Sequence, residues 1–368
     1  MNRERRHILF IVPLPPPVHG SAVVSRQIRD SERINALFDC DFINLSTSRS
    51  IQEINKFRPK KILRSLGALC QTCWKLATRR YDLCYLAITC HGRGFLKDFP
   101  FVMLCKLFGR KVVLHQHNKG MARDLDRRGY RKLLPLAYNK SKVILLSKYL
   151  YPDIARIVPE SQVLICPNGI PDCAASKRTR DRSRVELLFI SNLIKSKGVL
   201  DLIEACRLLM TDGKDFHCRI IGNESVEITR TTLEGLIRKE GLEKYVHYEG
   251  ARYGEEKEYA LQSADIFVFP TYYPDECFPL CILEAMQHAL PVITTDEGGI
   301  RDMVQNGVNG LICKKRDPES LSRAIAELMN QPERRLNMGQ NGRRAYESSF
   351  TPEHFERKLI ECLEKSME

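Results

Sequence analysis

No stretch of this 368-residue chain reaches the roughly 18 to 20 consecutive apolar residues that a helix needs to cross a bilayer. Low-complexity tracts are absent, and so is any repeat at solenoid or propeller periods, which excludes repeat arrays and disorder alike. The basic-then-apolar start MNRERRHILFIVPLPPP has neither the apolar length nor the small-residue cleavage site of a secretory leader, so its apolar run, Ile8 to Pro13, is expected to be a first buried strand. Cysteine is plentiful at 14 residues, but no spacing frames a zinc site or a disulfide network. Reduced and mostly buried thiols of a cytoplasmic protein are expected, with Cys84, Cys166, Cys218 and Cys313 inside predicted strands or helices. Cys70 and Cys73 form a CxxC, yet within a predicted long helix, where they share a face with Leu69 and Trp74 rather than mark a redox turn. A recognisable nucleic-acid module and interleaved aromatics are also missing, so no nucleic-acid partner is expected despite the positive charge.

What is present is an ordinary globular composition, 43% hydrophobic and 28% charged, in a chain long enough for two domains. The formal net charge of +13 is unevenly placed. Residues 1–180 carry 33 Lys and Arg against 13 Asp and Glu, whereas the remaining 188 carry 25 against 32. A basic half beside a mildly acidic one implies that the first domain addresses an anionic surface or substrate.

Short apolar β-branched runs alternate with helical segments along the whole chain, the pattern of doubly wound parallel α/β domains. His7 to Leu14 is the first such strand; the prolines after it hold the chain extended, and Gly20 with Ser21 opens a helix whose free N–H groups face the strand's end. Pro59 starts a basic amphipathic helix that reads two ways: lying on an anionic membrane, or packed on the sheet with a solvated basic face. Lys111 to Leu114 is a strand that runs out into His115, Gln116, His117 and Asn118, and a histidine there stands over the crevice at the sheet's edge. His115 and His117 share a face by strand alternation, but no third ligand accompanies them and no metal is expected. The domains are placed at 1–172 and 185–350, with a linker at 173–184 and a final helix at 351–368 that returns to the first domain.

In the second half, IKSKG places Lys195 and Lys197 in a strand-to-helix loop suited to an anion. Gly222 ends the next strand, and Gly250 with Arg252 the one after. The stretch from Ala264 to Ile300 has a buried strand (Ile266 to Phe269), a loop with Glu276, a helix with Glu284, a second strand (Pro291 to Thr295) and a Gly298-Gly299 turn. Ligand sites of parallel sheets lie in such loops, and a cleft between the two domains is the expected site.

The segments PPPVHGSAVVS, KVVLHQH, SNLIKSKGVLDLIEA, ECFPLCILEAMQHALPVITTDEGGI and VQNGVNGLICKKRDPESLSRAI together resemble the retaining, nucleotide-sugar-dependent glycosyltransferases of family 4 with the GT-B fold. The resemblance implies that Glu276 accepts hydrogen bonds from the donor sugar, helped by backbone around Phe278, Pro279 and Leu280, and that Glu284 grips the ribose diol. It implies that Lys197 neutralises the diphosphate, most strongly as charge builds on the leaving group, and that His117 reaches the donor sugar, with His115 as the alternative if the register differs by two. Gly20 and Ser21 match the glycine-rich first loop, with Ser where many members have a second Gly. Proton removal from the acceptor falls to the leaving phosphate oxygen on the same face, with no cofactor, no metal and no dedicated protein base. One departure is Asn192, where many members carry a diphosphate-clamping Arg; phosphate binding then leans on Lys197, with Lys195 or Arg252 compensating.

The resemblance and the charge together point to a transferase working at the inner face of a membrane. It would move a sugar from a UDP- or GDP-type donor to a lipid-linked or polysaccharide acceptor in cell-surface glycan synthesis. The competing reading is a catalytically weak sugar-nucleotide-binding scaffold of the same fold.

Overall fold

The computed structural model describes residues 5–16, 20–46, 59–173 and 184–368. The chain divides into two compact units, one of residues 1–168 with 353–368 and one of residues 169–352. The stretch assigned to the linker lies mostly outside the described residues.

The first unit holds a parallel sheet of β1 (His7–Val12), β2 (Asp39–Asn44), β3 (Leu83–Ile88), β4 (Lys111–Gln116), β5 (Lys142–Leu145) and β6 (Val163–Ile165), in the order β2-β1-β3-β4-β5-β6. Every residue of β3 is buried, as is all of β1 after His7, because helices cover both faces of a parallel sheet and leave no side for polar groups. Phe10 stacks on Phe42 with centroids 4.9 Å apart and meets Tyr85 at 5.0 Å. The helix Pro352–Met367 inserts Phe355, Leu359 and Leu363 into this same core, and Lys111 Nζ donates to the carbonyl of Met367. The last helix thus returns to the first domain, as the sequence suggested.

The helix Pro59–Thr78 turns its apolar and basic residues in a way that neither reading set out. Its inward side buries Thr72 and Leu76, and Lys75 Nζ reaches Asp41 at 2.6 Å while Arg79 bridges Asp41 at 2.8 Å and Asp39 at 2.6 Å. The outward side carries Ile62, Leu63, Leu66 and Trp74, which are 47, 68, 52 and 64% exposed. The expectation of a solvated basic face therefore fails, because alternate positions of β2 offer Asp39 and Asp41 to the basic residues and turn the helix over. Cys70 and Cys73 are exposed on the outward side, while most of the cysteines are buried as expected, Cys84, Cys166, Cys218 and Cys313 among them.

The second unit repeats the plan with β7 (Val185–Ile190), β8 (Phe216–Ile221), β9 (Val246–Gly250), β10 (Ile266–Phe269), β11 (Val292–Thr294) and β12 (Gly310–Ile312), ordered β12-β11-β10-β7-β8-β9. The chain runs outward from β7 to β9, then returns to place β10 on the other side of β7. From β7 and β10, which lie side by side, the chain goes on to opposite sides of the sheet, the switch point at which parallel sheets hold their ligand sites.

Burial alone would raise the pKa of Asp41, but hydrogen bonds from Lys75 and Tyr81 and the charges of Lys75 and Arg79 hold it below its ordinary 3.8. A carboxylate with a lowered folded pKa stabilises the fold above its unfolded pKa, and that contribution is lost as pH falls through the folded value. Asp41→Asn is expected to cost about 1–2 kcal/mol near neutral pH and to flatten the loss of stability below about pH 4. Thermal denaturation of both proteins across that range checks it, and identical acid limbs would rule the clamp out.

Candidate functional site

At the end of β7 the chain passes through a short turn, Lys195–Lys197, into the helix Val199–Thr211. Gly198 joins them at φ +86°, and a Cβ there would lie 2.3 Å from the carbonyl oxygen of Pro270. Glycine at this position is what lets the loop after β7 touch the loop after β10. The Tyr272 N–H donates to the carbonyl of Ser196 at 2.8 Å across the same seam.

This contact brings two of the selected residues together. Lys197 Nζ donates to Glu276 Oε2 at 2.6 Å and lies 4.4 Å from the centre of the Tyr273 ring, while Thr271 Oγ1 donates to the same carboxylate oxygen at 3.3 Å. Both charged side chains are nearly out of water, at 15 and 8% exposure. Removing either one would leave its partner as an uncompensated buried charge.

The helix Leu280–Gln287 begins just beyond, with Pro279 as its N-cap and no side chain capping its first N–H groups. The helix Val199–Thr211 has Gly198 as its N-cap, and the Asp201 carboxylate in its first turn accepts from its own backbone N–H. Two helix N-termini with their positive dipole ends thus meet at one switch point. Phe278 is buried and meets Phe350 at 5.9 Å, so its part in this loop is packing through the ring. Leu280 leads the helix whose fifth residue is Glu284. Burial of Cys281, reinforced by the Glu276 and Glu284 carboxylates, pushes its thiol far above the ordinary range, which places it within the field of both acids.

Glu284 is held by a residue that the sequence did not single out. Lys257 Nζ donates to Glu284 Oε1 at 2.7 Å, and although burial lowers the lysine's pKa, its acidic neighbours, Glu284 foremost, together hold it above the ordinary value. Tyr273 beneath Lys197, and Arg316 stacked 4.6 Å above the Tyr272 ring, were missed as well. All three contacts are long-range, and none has a local motif. Lys257 sits 27 residues before the glutamate it pairs with, on the helix Gly254–Ser263.

The remaining residues of the second unit stand around this centre. Gly222 has its N–H bonded to the Gly250 carbonyl at 2.9 Å, and a Cβ there would collide with the Ser191 carbonyl, so it keeps the ends of β7 and β8 close. Asn192 is exposed and accepts from the Asn223 amide at 3.2 Å. Lys195 is exposed and its backbone N–H donates to Glu227. Arg252 is engaged by Glu256 at 3.1 Å and Glu249 at 3.7 Å, carboxylates of the elements on either side of its loop.

In the first unit, β4 continues two residues past its expected end and takes in His115 and Gln116, because both still pair with β3 and β5. His115 is fully buried beside the Tyr85 hydroxyl, with its pKa pushed well below the usual value by burial and by the neighbouring His117. His117 lies just beyond the strand, half-buried, with its ring 4.2 Å from that of His115. Of the two histidines, only His117 stands at the sheet's carboxyl edge. Gly20 and Ser21 begin the helix Gly20–Asp30, and nothing lies within 4 Å of where a Cβ on Gly20 would be, so no packing contact demands glycine there.

Residues 175–345 match the model of the family described as glycosyl transferases group 1. The chain is 26% identical over 267 residues to the amylovoran biosynthesis glycosyltransferase AmsK of Erwinia amylovora, covering 70% of this chain and 65% of that protein. Among solved structures it resembles the sucrose-phosphate synthase of Thermosynechococcus elongatus, with TM-score 0.74, 17% identity, and coverage of 98% of this chain and 99% of that one. It also resembles the Anabaena protein HepE in complex with UDP, with TM-score 0.75, 16% identity, and coverage of 98 and 100%. These likenesses show the fold, two Rossmann-like α/β units of the GT-B class.

Gly298, at φ +57°, would place a Cβ 2.3 Å from the Glu276 carbonyl oxygen, and the Gly299 N–H donates to the Cys277 carbonyl at 2.7 Å. Gly298→Ala is expected to destabilise the second unit by at least about 2 kcal/mol, since strain and collision add. A melting temperature equal to that of the parent protein would show that the glutamate loop does not depend on this approach.

Proposed function

We propose that this chain is a retaining glycosyltransferase of family 4. It moves a sugar from a UDP- or GDP-type nucleotide-diphosphate donor to a lipid-linked or polysaccharide acceptor in cell-surface glycan synthesis, beside the inner face of a membrane. The observation that carries the reading is the Lys197–Glu276 pair at the switch point, with the Glu284–Lys257 pair on the following helix.

Each group has a role its chemistry suits. Glu284 accepts from both hydroxyls of the ribose, which a neutral side chain cannot do as well. Glu276 accepts from donor-sugar hydroxyls, and His117 is assigned to the same sugar. Lys197 and the helix N-termini stabilise the diphosphate. Because its charge grows as the anomeric C–O bond breaks, they favour the transition state over the ground state. The acceptor oxygen bonds to the anomeric carbon on the face the diphosphate leaves, and its proton passes to the departing phosphate oxygen. The nucleotide diphosphate then departs, and the reading calls on no metal. Lys197 has to share its ammonium between Glu276 and the incoming phosphate. The cation that Asn192 does not supply is assigned to Arg316 or Lys195.

The names of relatives support the acceptor class, amylovoran being a polysaccharide, and the UDP complex of HepE supports the donor class. Thermal shift against UDP-, GDP- and ADP-sugars identifies the donor, because a ligand that binds the folded state stabilises it more the further its concentration exceeds its Kd. With that donor, Glu284→Ala is expected to weaken binding about 10- to 100-fold. Glu276→Ala is expected to lower kcat about 100- to 1,000-fold while leaving binding largely intact. Full activity in both variants would refute the site. Tight donor binding without release of nucleotide diphosphate, with any acceptor, would identify a scaffold instead.

A further inference from the structure

The outward side of the helix Pro59–Thr78 is the most unusual surface among the described residues. A helix of 20 residues is about 30 Å long, and Ile62, Leu63, Leu66 and Trp74 recur along it at spacings that keep them on one side. Gly67, Cys70, Cys73 and Ala77 fill the positions between them, all exposed. Isolated exposed apolar residues are normal, but a stripe running the length of a helix is the mark of a surface that is covered in use.

Charge says what covers it. Residues 59–80 contain six basic side chains and no acidic one. Lys75 and Arg79 are spent on Asp39 and Asp41, while Lys60 and Arg80 are exposed at the two ends of the stripe. A second copy of the same face would oppose these cations with their own kind across a two-fold axis. An anionic bilayer would attract them, and Trp74 is the residue type that prefers the headgroup boundary.

We propose that this face docks the first unit on an anionic lipid surface, with Ile62, Leu63, Leu66 and Trp74 dipped into the boundary between headgroups and acyl chains. The helix lies in the plane of the interface; no helix among the described residues is long and apolar enough to cross a membrane. The inference deepens the reading of a transferase beside a membrane. It is tested separately, because its readout is binding rather than turnover.

Trp74 is the only tryptophan of the chain, so its emission reports on this face alone. With vesicles of phosphatidylcholine and phosphatidylglycerol, the emission is expected to shift to the blue and to be quenched by brominated acyl chains. Pure phosphatidylcholine should give a weaker response, and high salt should reduce the anionic one. The double variant Leu63→Ser, Leu66→Ser is expected to bind the anionic vesicles at least about tenfold more weakly, with its melting temperature and its donor binding unchanged. Emission that does not move with anionic vesicles would overturn the proposal. So would a blue shift that needs no lipid and rises with protein concentration as the mass doubles, which would assign the face to a second copy.

Discussion

The second unit depends on one crossing of the sheet, the step by which the chain leaves β9 and comes back to lay β10 against β7. That step alone sets the loops carrying Lys197 and Glu276 side by side, 79 residues apart in sequence and 2.6 Å apart in space. An ammonium and a carboxylate this poorly hydrated are tolerated only because each satisfies the other. Both are also positioned by backbone that cannot shift. Gly198 presses on Pro270 from one side and Gly298 presses on Glu276 from the other, and a single added methyl group at either would pry the seam open. The charge pair is thus preorganised by glycines that themselves carry no chemistry.

A pair so placed has a cost in function as well as in folding. An ammonium that already has a carboxylate partner binds a phosphate less strongly than a lone one. It is also held in one position, and groups that need no rearrangement during a reaction contribute most to lowering its barrier. Glu284 and Lys257 repeat the arrangement one helix away, at lower burial. Glu276 and Glu284 are thus each matched by a lysine.

Much of this was legible in the sequence because parallel strands announce themselves as apolar runs. Ile266–Phe269 was found to the residue, and the helix carrying Glu284 followed from its flanking strands. What was not legible was long-range. The end of β4 was set too early because His115 and Gln116 look like loop residues. Whether they pair is decided by β3 and β5, from segments some 30 residues away on either side. The helix Pro59–Thr78 shows the same limit. Its amphipathic period was plain, but which side faces the sheet depends on Asp39 and Asp41 of β2, and periodicity carries no information about the neighbour. Lys257 was overlooked for a related reason, since an ordinary lysine on an exposed helix acquires meaning only through the carboxylate it meets.

The helix Pro352–Met367 follows the second unit in the chain but fills the core of the first, where Phe355 and Leu359 share one cluster with Ile8 and Phe10. The order of synthesis and the order of assembly are therefore different. Residues 169–352 form a contiguous unit that can close as soon as it is made, whereas the first sheet, although translated earlier, has an open side until the last helix arrives. During that interval the newly made first unit exposes apolar strand surface, which makes it the part of the molecule that most needs protection until the helix Pro352–Met367 has been made.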